Sequence, residues 1–242
     1  MKVELISWTG YPDKQHGIDL MIFTKNTRLN MTPGGLEEIS NWPMNKKLDE
    51  LAYMAKTIPS SWEFFDFTWL ITDVSRAFTH QFVRNRTGSY AQQSMRVVDM
   101  NGWDYHTPEK IEEGSEKGLR IYRMAMNQIA SAYDELKGLG VNLEDARGIL
   151  PTNVLTNIVA KFNLRTMSDL CRSRLGMRTQ EEHREVVRLM YDTIIKKWPP
   201  FQQFLDPRMK IAVSEIEDVA RKIDKDLATR LMKVADIARK ER

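Results

Sequence analysis

The segment Arg84-Asn85-Arg86-Thr87-Gly88-Ser89-Tyr90-Ala91-Gln92-Gln93-Ser94-Met95-Arg96 places three arginines, two serines and two glutamines in thirteen residues, with no acid and no lysine. The acid-free, lysine-free stretch runs from Val74 to Val98 and adds Arg76 and His80. A solvated face normally mixes signs and uses Lys as readily as Arg. Arginine alone is the choice where a phosphate or carboxylate must be gripped at two points in one plane. The interleaved hydroxyls and amides supply neutral hydrogen bonds that orient a ligand. The pattern therefore points to a pocket for a phosphorylated small molecule, against the alternative of a salt-bridged surface loop.

A second cluster, Asn163 to Arg174, repeats the theme without lysine. At about 100° per residue on a helix, Arg165, Asp169 and Arg172 share a face and Arg174 is displaced from it. Arg147, just before Pro151, adds a further guanidinium. Alone, the second cluster reads as an exposed ion-pair face; with the first it makes a composite anion site.

The elements that must position these groups follow from periodicity. Val3–Trp8 and Ile18–Phe23 read as strands around a Gly/Pro loop. Lys47–Ile58 carries a helical stripe of Leu48, Leu51, Ala52 and Ala55, and Ser60 with Glu63 has capping-box spacing. Phe64–Val74 is rich in aromatic and β-branched residues, as a buried strand is. Ser75–Arg84 reads as a helix that leads into a largely irregular arginine segment. Lys110–Leu136 is a long helix and Leu143–Leu150 a short one stopped by Pro151. Thr152–Phe162 fits strand or helix. Asn163 caps a helix to Leu175, and Thr179 with Glu182 opens another to Lys197. After Trp198-Pro199-Pro200, Ser214–Arg239 is an amphipathic helix, most simply a packing or subunit contact. Because strands and helices do not alternate, the fold class is α+β. Residues 1–200 are expected to form the main domain and 201–242 a helical extension.

Composition narrows the class. The chain has 242 residues, 42% hydrophobic and 29% charged, with a formal net charge of +3. That describes a folded globular protein, and the arginines lie in short motifs rather than along a basic stripe, which argues against nucleic acid. No apolar run suits a membrane span and Met1-Lys2-Val3-Glu4-Leu5 is not a signal peptide. The single Cys171 excludes an internal disulfide and suits a reducing cytoplasm, or a host cytoplasm if the source is viral. His16, His80, His106 and His183 lack metal-ligand spacing, so no metal site is expected. Cys171 reads as a small buried helix residue rather than a nucleophile.

Taken in order, these segments resemble the flavin-dependent thymidylate synthases. The family's R-H-R-x(7)-S signature is matched by Arg84-Asn85-Arg86 and Ser94. Ser75–Val83 is similar to the helix that leads into it, and Glu63 with Phe67-Thr68 to its strand entry. Arg147-Gly148-Ile149-Leu150-Pro151 is similar to R-x-x-L-P, and Asn163-Leu164-Arg165 through Arg174 to its N-x-R helix. The matches keep their order over about residues 55 to 190 and do not extend to residues 200–242.

The resemblance implies a central, mostly antiparallel sheet packed with long helices, in a homotetramer whose active sites are built from several chains. It implies transfer of a one-carbon unit from methylenetetrahydrofolate to C5 of dUMP, giving dTMP, with FAD reduced by NADPH. Gln81, Arg84, Gln92, Gln93, Ser94, Arg96, Arg147 and Arg174 would hold the nucleotide, and Arg174 would polarise the pyrimidine as the catalytic residue. Ser60, Glu63, Arg84, Asn85, Arg86, Asn163, Arg165 and Asp169 would line the flavin.

The departures concentrate on the flavin side. Family histidines are replaced by Ile58, Phe64 and Asn85; Arg178, Asp169 and Val97 stand where the family often has His, Asn and Tyr. Asn85 can donate and accept a hydrogen bond but cannot carry positive charge beside a reduced flavin. Two alternatives follow. One is a dUMP or dCMP 5-hydroxymethylase with altered or lost flavin use, and the other is a nucleotide-binding homologue without catalysis.

Overall fold

A computed structural model describes residues 1–25, 32–100 and 102–205 and the single positions 216, 220, 229 and 230. The helix expected over 214–239 lies outside the described residues except at those four positions. The chain divides into two compact units, the first built from Met1–Ile6 and Thr68–Phe162, the second from Ser7–Phe67 and the chain from Asn163 onward.

The first unit carries a four-stranded sheet in the order β1-β2-β4-β3, where β1 is Lys2–Trp8, β2 Asp66–Ser75, β3 Ser89–Gln92 and β4 Leu155–Asn163. In β2, Phe67, Trp69 and Ile71 alternate inward, and in β4 Thr156, Ile158, Ala160 and Phe162 do the same. Strand β3 pairs antiparallel with β4, Ser89 opposite Lys161 and Gln92 opposite Ile158. Strands β2 and β4 also run antiparallel: Asp73 N–H donates to Asn157 Oδ1, and Arg76 N–H to the Val154 carbonyl. This pairing resolves the ambiguity of 152–162 in favour of a strand. The arginine segment is largely irregular as expected, except that Ser89–Gln92 forms a short strand whose backbone partners lie on β4.

Helix α4, Arg76–Phe82, follows β2 without a loop; Phe78 and Phe82 are buried and their rings lie 4.8 Å apart. The helix expected over 110–136 is instead two, α5 (Glu109–Glu112) and α6 (Glu116–Gly138). A Cβ on Gly114 would sit 2.6 Å from the Lys110 carbonyl, and Ser115 Oγ starts α6 afresh by accepting from the Gly118 N–H. Helix α7, Leu143–Ala146, passes into a 3-10 turn over Arg147–Ile149.

The second unit holds α1 (His16–Lys25), α2 (Gly35–Ser40), α3 (Met44–Thr57), a 3-10 turn over Pro59–Phe64, α8 (Leu164–Arg174), α9 (Glu181–Lys197), a 3-10 turn over Pro199–Phe201 and α10 (Gln202–Leu205). The strand expected at Ile18–Phe23 is corrected to α1. Ile18, Met21 and Ile22 are buried at helical spacing, and Asp19 is buried between them where a strand would have turned it outward. Gly17 allows the close approach of α1, since a Cβ there would meet Phe65 Cε2 at 2.4 Å. Both capping boxes are corrected too. The turn after Ile58 has no side-chain cap, and α9 is preceded by Gln180 with Glu182 buried. In α3 the buried residues are Lys47, Leu51 and Met54, so the stripe is offset and Leu48 is exposed. The core is aromatic: Phe65 lies 5.3 Å from Trp198 and 5.0 Å from Phe201, and Trp62 4.9 Å from Phe204.

Within this core Lys47 Nζ stands 2.6 Å from Asp19 Oδ1, with both side chains nearly sealed, and it also donates to the Ser40 carbonyl. Removing one partner strands a buried charge. Lys47→Met should therefore cost about 3 kcal/mol in urea unfolding, while Lys47→Met combined with Asp19→Leu should recover much of it.

Candidate functional site

In the first unit the site begins at the turn between α4 and β3. The close approach of Gly88 makes the turn possible: a Cβ there would lie 2.4 Å from Phe162 Cε1 and 2.7 Å from the Tyr90 hydroxyl. Tyr90 then locks it. Its hydroxyl donates to the Asn85 carbonyl at 2.7 Å, with the Phe82 carbonyl at 3.1 Å, and burial pushes the phenol up to about 12. The Asn85 side chain accepts from the Thr87 hydroxyl at 2.7 Å. Arg84 and Arg86 are exposed, and neither has a carboxylate partner among the described residues.

Beyond the turn, Gln92 Nε2 donates to Thr79 Oγ1 at 3.0 Å and approaches Thr156 Oγ1 at 3.4 Å. Gln93 Oε1 accepts from Asn157 Nδ2 at 3.1 Å, and the Gln93 carbonyl accepts from Arg76 Nη2 at 2.8 Å. Ser94 Oγ accepts from the Arg96 N–H. Arg96 is ion-paired with Glu144 at 3.0 Å, and the Glu144 carbonyl accepts from Arg147 Nε at 3.1 Å. The expected residues Ser94, Arg96 and Arg147 are thus linked through Glu144. Gln81 lies on α4, half-buried, one turn from Phe78.

In the second unit Asn163 Oδ1 caps α8, accepting from the Thr166 N–H at 2.8 Å. This directs Arg165 outward, where Nη1 meets Glu63 Oε1 at 2.6 Å with both side chains about half exposed. Ser60 and Asp169 are exposed. Arg174, at the end of α8, is half-buried and has no carboxylate partner among the described residues. Near it stands His183 of α9, 1% exposed, whose pKa is pushed down to about 4, first by burial and then by the Arg174 charge. Arg174 consequently has a neutral imidazole for a neighbour at physiological pH. Cys171 is buried, and burial raises its thiol to about 12, so it stays protonated and is no nucleophile.

Sequence reasoning passed over Arg76, Thr79, Glu144, Asn157 and His183. Arg76 was visible in the acid-free window; the others have no local signal, since their partners lie far along the chain. A groove of about 520 Å³ runs along α6, lined by Glu116, Lys117, Arg120 and Met124 among others. It is one helix face of mixed charge with none of the residues above, and we do not take it as the site. Among the described residues no group of three His, Cys, Asp or Glu could hold a metal, and no helix is long and apolar enough to cross a membrane.

The donor set suits an anionic dinucleotide in part. Arg84 and Arg86 offer guanidiniums with no acid partner among the described residues, and Arg165 is already neutralised by Glu63. Phe64, 52% exposed, and Asn85 present no titratable group.

Two outcomes test this account. Tyr90→Phe should lower stability by about 1 kcal/mol and speed amide exchange at residues 84–88, because one buried donor holds the turn. His183 has a folded pKa below its ordinary 6.5, so the folded state binds fewer protons than the unfolded one as pH falls. Its contribution is complete above about pH 6.5 and is lost progressively towards pH 4. Melting temperature should fall across that window, and His183→Gln should flatten the fall.

A family model described as thymidylate synthase complementing protein matches residues 26–200. A Clostridium tetani protein named flavin-dependent thymidylate synthase is 28% identical over 225 residues, 86% of this chain and 87% of the relative. One of the same name from Geobacter sulfurreducens is 33% identical over 205 residues, 78% of this chain and 82% of its own. A third, from Pyrococcus abyssi, is 38% identical over 134 residues, about half of either chain (54% and 55%).

Proposed function

The chain belongs to the flavin-dependent thymidylate synthase family, and on that premise we propose that it methylates dUMP to dTMP, with methylenetetrahydrofolate as the one-carbon donor and NADPH as the reductant of FAD. The observation that best supports this reading is the set of arginines left without carboxylates. Arg84, Arg147 and Arg174, each proposed to hold the nucleotide, have no acid partner among the described residues. Two of the other arginines, Arg96 and Arg165, are paired with Glu144 and Glu63.

In this reading Arg84, Arg96 and Arg147 bind the nucleotide with Gln81, Gln92, Gln93 and Ser94. Arg96 exchanges Glu144 for the ligand, an exposed pair that costs little to open. Arg174 faces the pyrimidine and favours its N3-deprotonated form, which makes C5 more nucleophilic without a covalent enzyme nucleophile. A neutral His183 leaves that charge undiluted. Arg84, Arg86, Asn85, Ser60, Glu63, Asn163, Arg165 and Asp169 would hold FAD, which when bound supplies the hydride that completes a methyl group. The protein would act as a homotetramer in the cytoplasm, with residues 201–242 as a helical extension.

One observation favours a second reading, transfer that stops at a hydroxymethyl group on dUMP or dCMP. Asn85 and Phe64 provide no cation near the flavin position, and Asn85 Oδ1 is already engaged by Thr87. Hydroxymethyl transfer ends in addition of water and needs no net hydride. The product separates the two by mass, because hydroxymethyl carries one oxygen more than methyl.

Arg174→Lys keeps the charge but loses the planar fork. Tritium release from C5-labelled dUMP should fall by about two orders of magnitude at saturating nucleotide, while part of the binding persists. Wild-type turnover in this variant would remove Arg174 from the chemistry. Binding of dUMP with no turnover under any cofactor regime would leave a nucleotide-binding homologue.

A further inference from the structure

Arg76 has no role in the reading above, yet its surroundings are not those of a structural arginine. It opens α4, and the start of that helix is tied to the segment before β4: Arg76 N–H donates to the Val154 carbonyl at 3.1 Å and Ala77 N–H to the Thr152 carbonyl at 2.7 Å. Arg147 reaches the same junction from the other direction, on the 3-10 turn that runs into Pro151. Two segments remote in sequence, each carrying an arginine, therefore meet at one junction.

Both side chains are held by backbone carbonyls and not by acids. Arg76 Nη2 donates to the Gln93 carbonyl at 2.8 Å, and Arg147 Nε to the Glu144 carbonyl at 3.1 Å. The carboxylate of Glu144 is occupied by Arg96 at 3.0 Å. Arg76 Nε is sealed from solvent with no acceptor. The Arg76 guanidinium is held below its ordinary pKa, first by burial and then by repulsion from Arg147. Two cations near enough to repel each other normally share a carboxylate; here, among the described residues, none is paired with either. The missing partner is an anion from outside, with enough oxygens to accept from two planar forks. A phosphomonoester dianion has that charge and shape.

We propose that Arg76 is a further guanidinium of the nucleotide clamp, gripping the substrate's phosphate together with Arg147. The bond to the Gln93 carbonyl gives Arg76 a fixed aim, and it steadies the chain just before Ser94 and Arg96. The proposal rests on the nucleotide reading above and assigns its phosphate to the junction of α4 with the 147–154 segment.

Calorimetric titration of the full chain with dUMP, deoxyuridine and inorganic phosphate tests it, using wild type, Arg76→Gln and Arg76→Lys. Arg76→Gln should weaken dUMP and inorganic phosphate by about tenfold or more and leave deoxyuridine unchanged, the mark of a lost charge-assisted contact. Arg76→Lys, which keeps the charge and loses the fork, should fall between, and it carries the test if Arg76→Gln does not fold. Wild-type affinity for dUMP and phosphate in both variants overturns the clamp while leaving the nucleotide reading intact. Equal losses for dUMP and deoxyuridine also overturn it, because a role confined to steadying Gln93 does not discriminate by phosphate. If wild type binds inorganic phosphate but not dUMP, the nucleotide reading fails. Loss of phosphate binding in Arg76→Gln then still upholds the clamp.

Discussion

A helix that follows a strand with no loop between them must have its first-turn donors satisfied at the junction itself, and two helices of this chain, α4 and α8, begin that way. Strand β2 ends on Ser75, which is fully buried and whose Oγ accepts the Phe78 N–H at 3.0 Å. Strand β4 ends on Asn163, whose Oδ1 accepts the Thr166 N–H at 2.8 Å. In each case the cap satisfies a first-turn donor that would otherwise be orphaned. The pleat has a period of two residues, so a slip of one residue in either strand would turn its side chains to the opposite face.

Charge is distributed on this frame in two ways. Arg96 and Arg165 have internal counter-ions, and both pairs are exposed enough to exchange with solvent or ligand at small cost. Arg76, Arg147 and Arg174 are less exposed and have none among the described residues. The folded chain tolerates them because backbone carbonyls accept from Arg76 and Arg147, and because the imidazole beside Arg174 stays neutral. Burial thus raises the strength of the unpaired guanidiniums toward any anion while the frame, not an acid, holds them in place.

Much of this was legible in the sequence, and the misses have identifiable causes. Strand β2 and the cap at Asn163 were readable because alternation and capping are local. Val154, Leu155, Ile158 and Val159 fit either period, and pairing with β2 and β3 decides between them. Ile18 to Phe23 looked like a strand because a short apolar run carries no period of its own; burial of Asp19 against Lys47 reveals the helix. The arginines were legible as chemistry, but their partners were not. Glu63 lies 102 residues from Arg165, and Glu144 lies 48 from Arg96, separations over which a single sequence carries no signal.

The bond that ties the turn after α4 to β3 runs through the backbone of Asn85, while the Asn85 side chain makes only the local contact with Thr87. Tyr90 grips the carbonyl at position 85, and the closeness of Gly88 to Phe162 sets the curvature. The tie from Tyr90 therefore does not depend on which side chain stands at 85, although 85 sits at the centre of the signature. An amide or an imidazole can stand there and leave the bond from Tyr90 in place. Positions 88 and 90 have no such latitude. Across divergent homologues they should vary less than the residue between the two arginines.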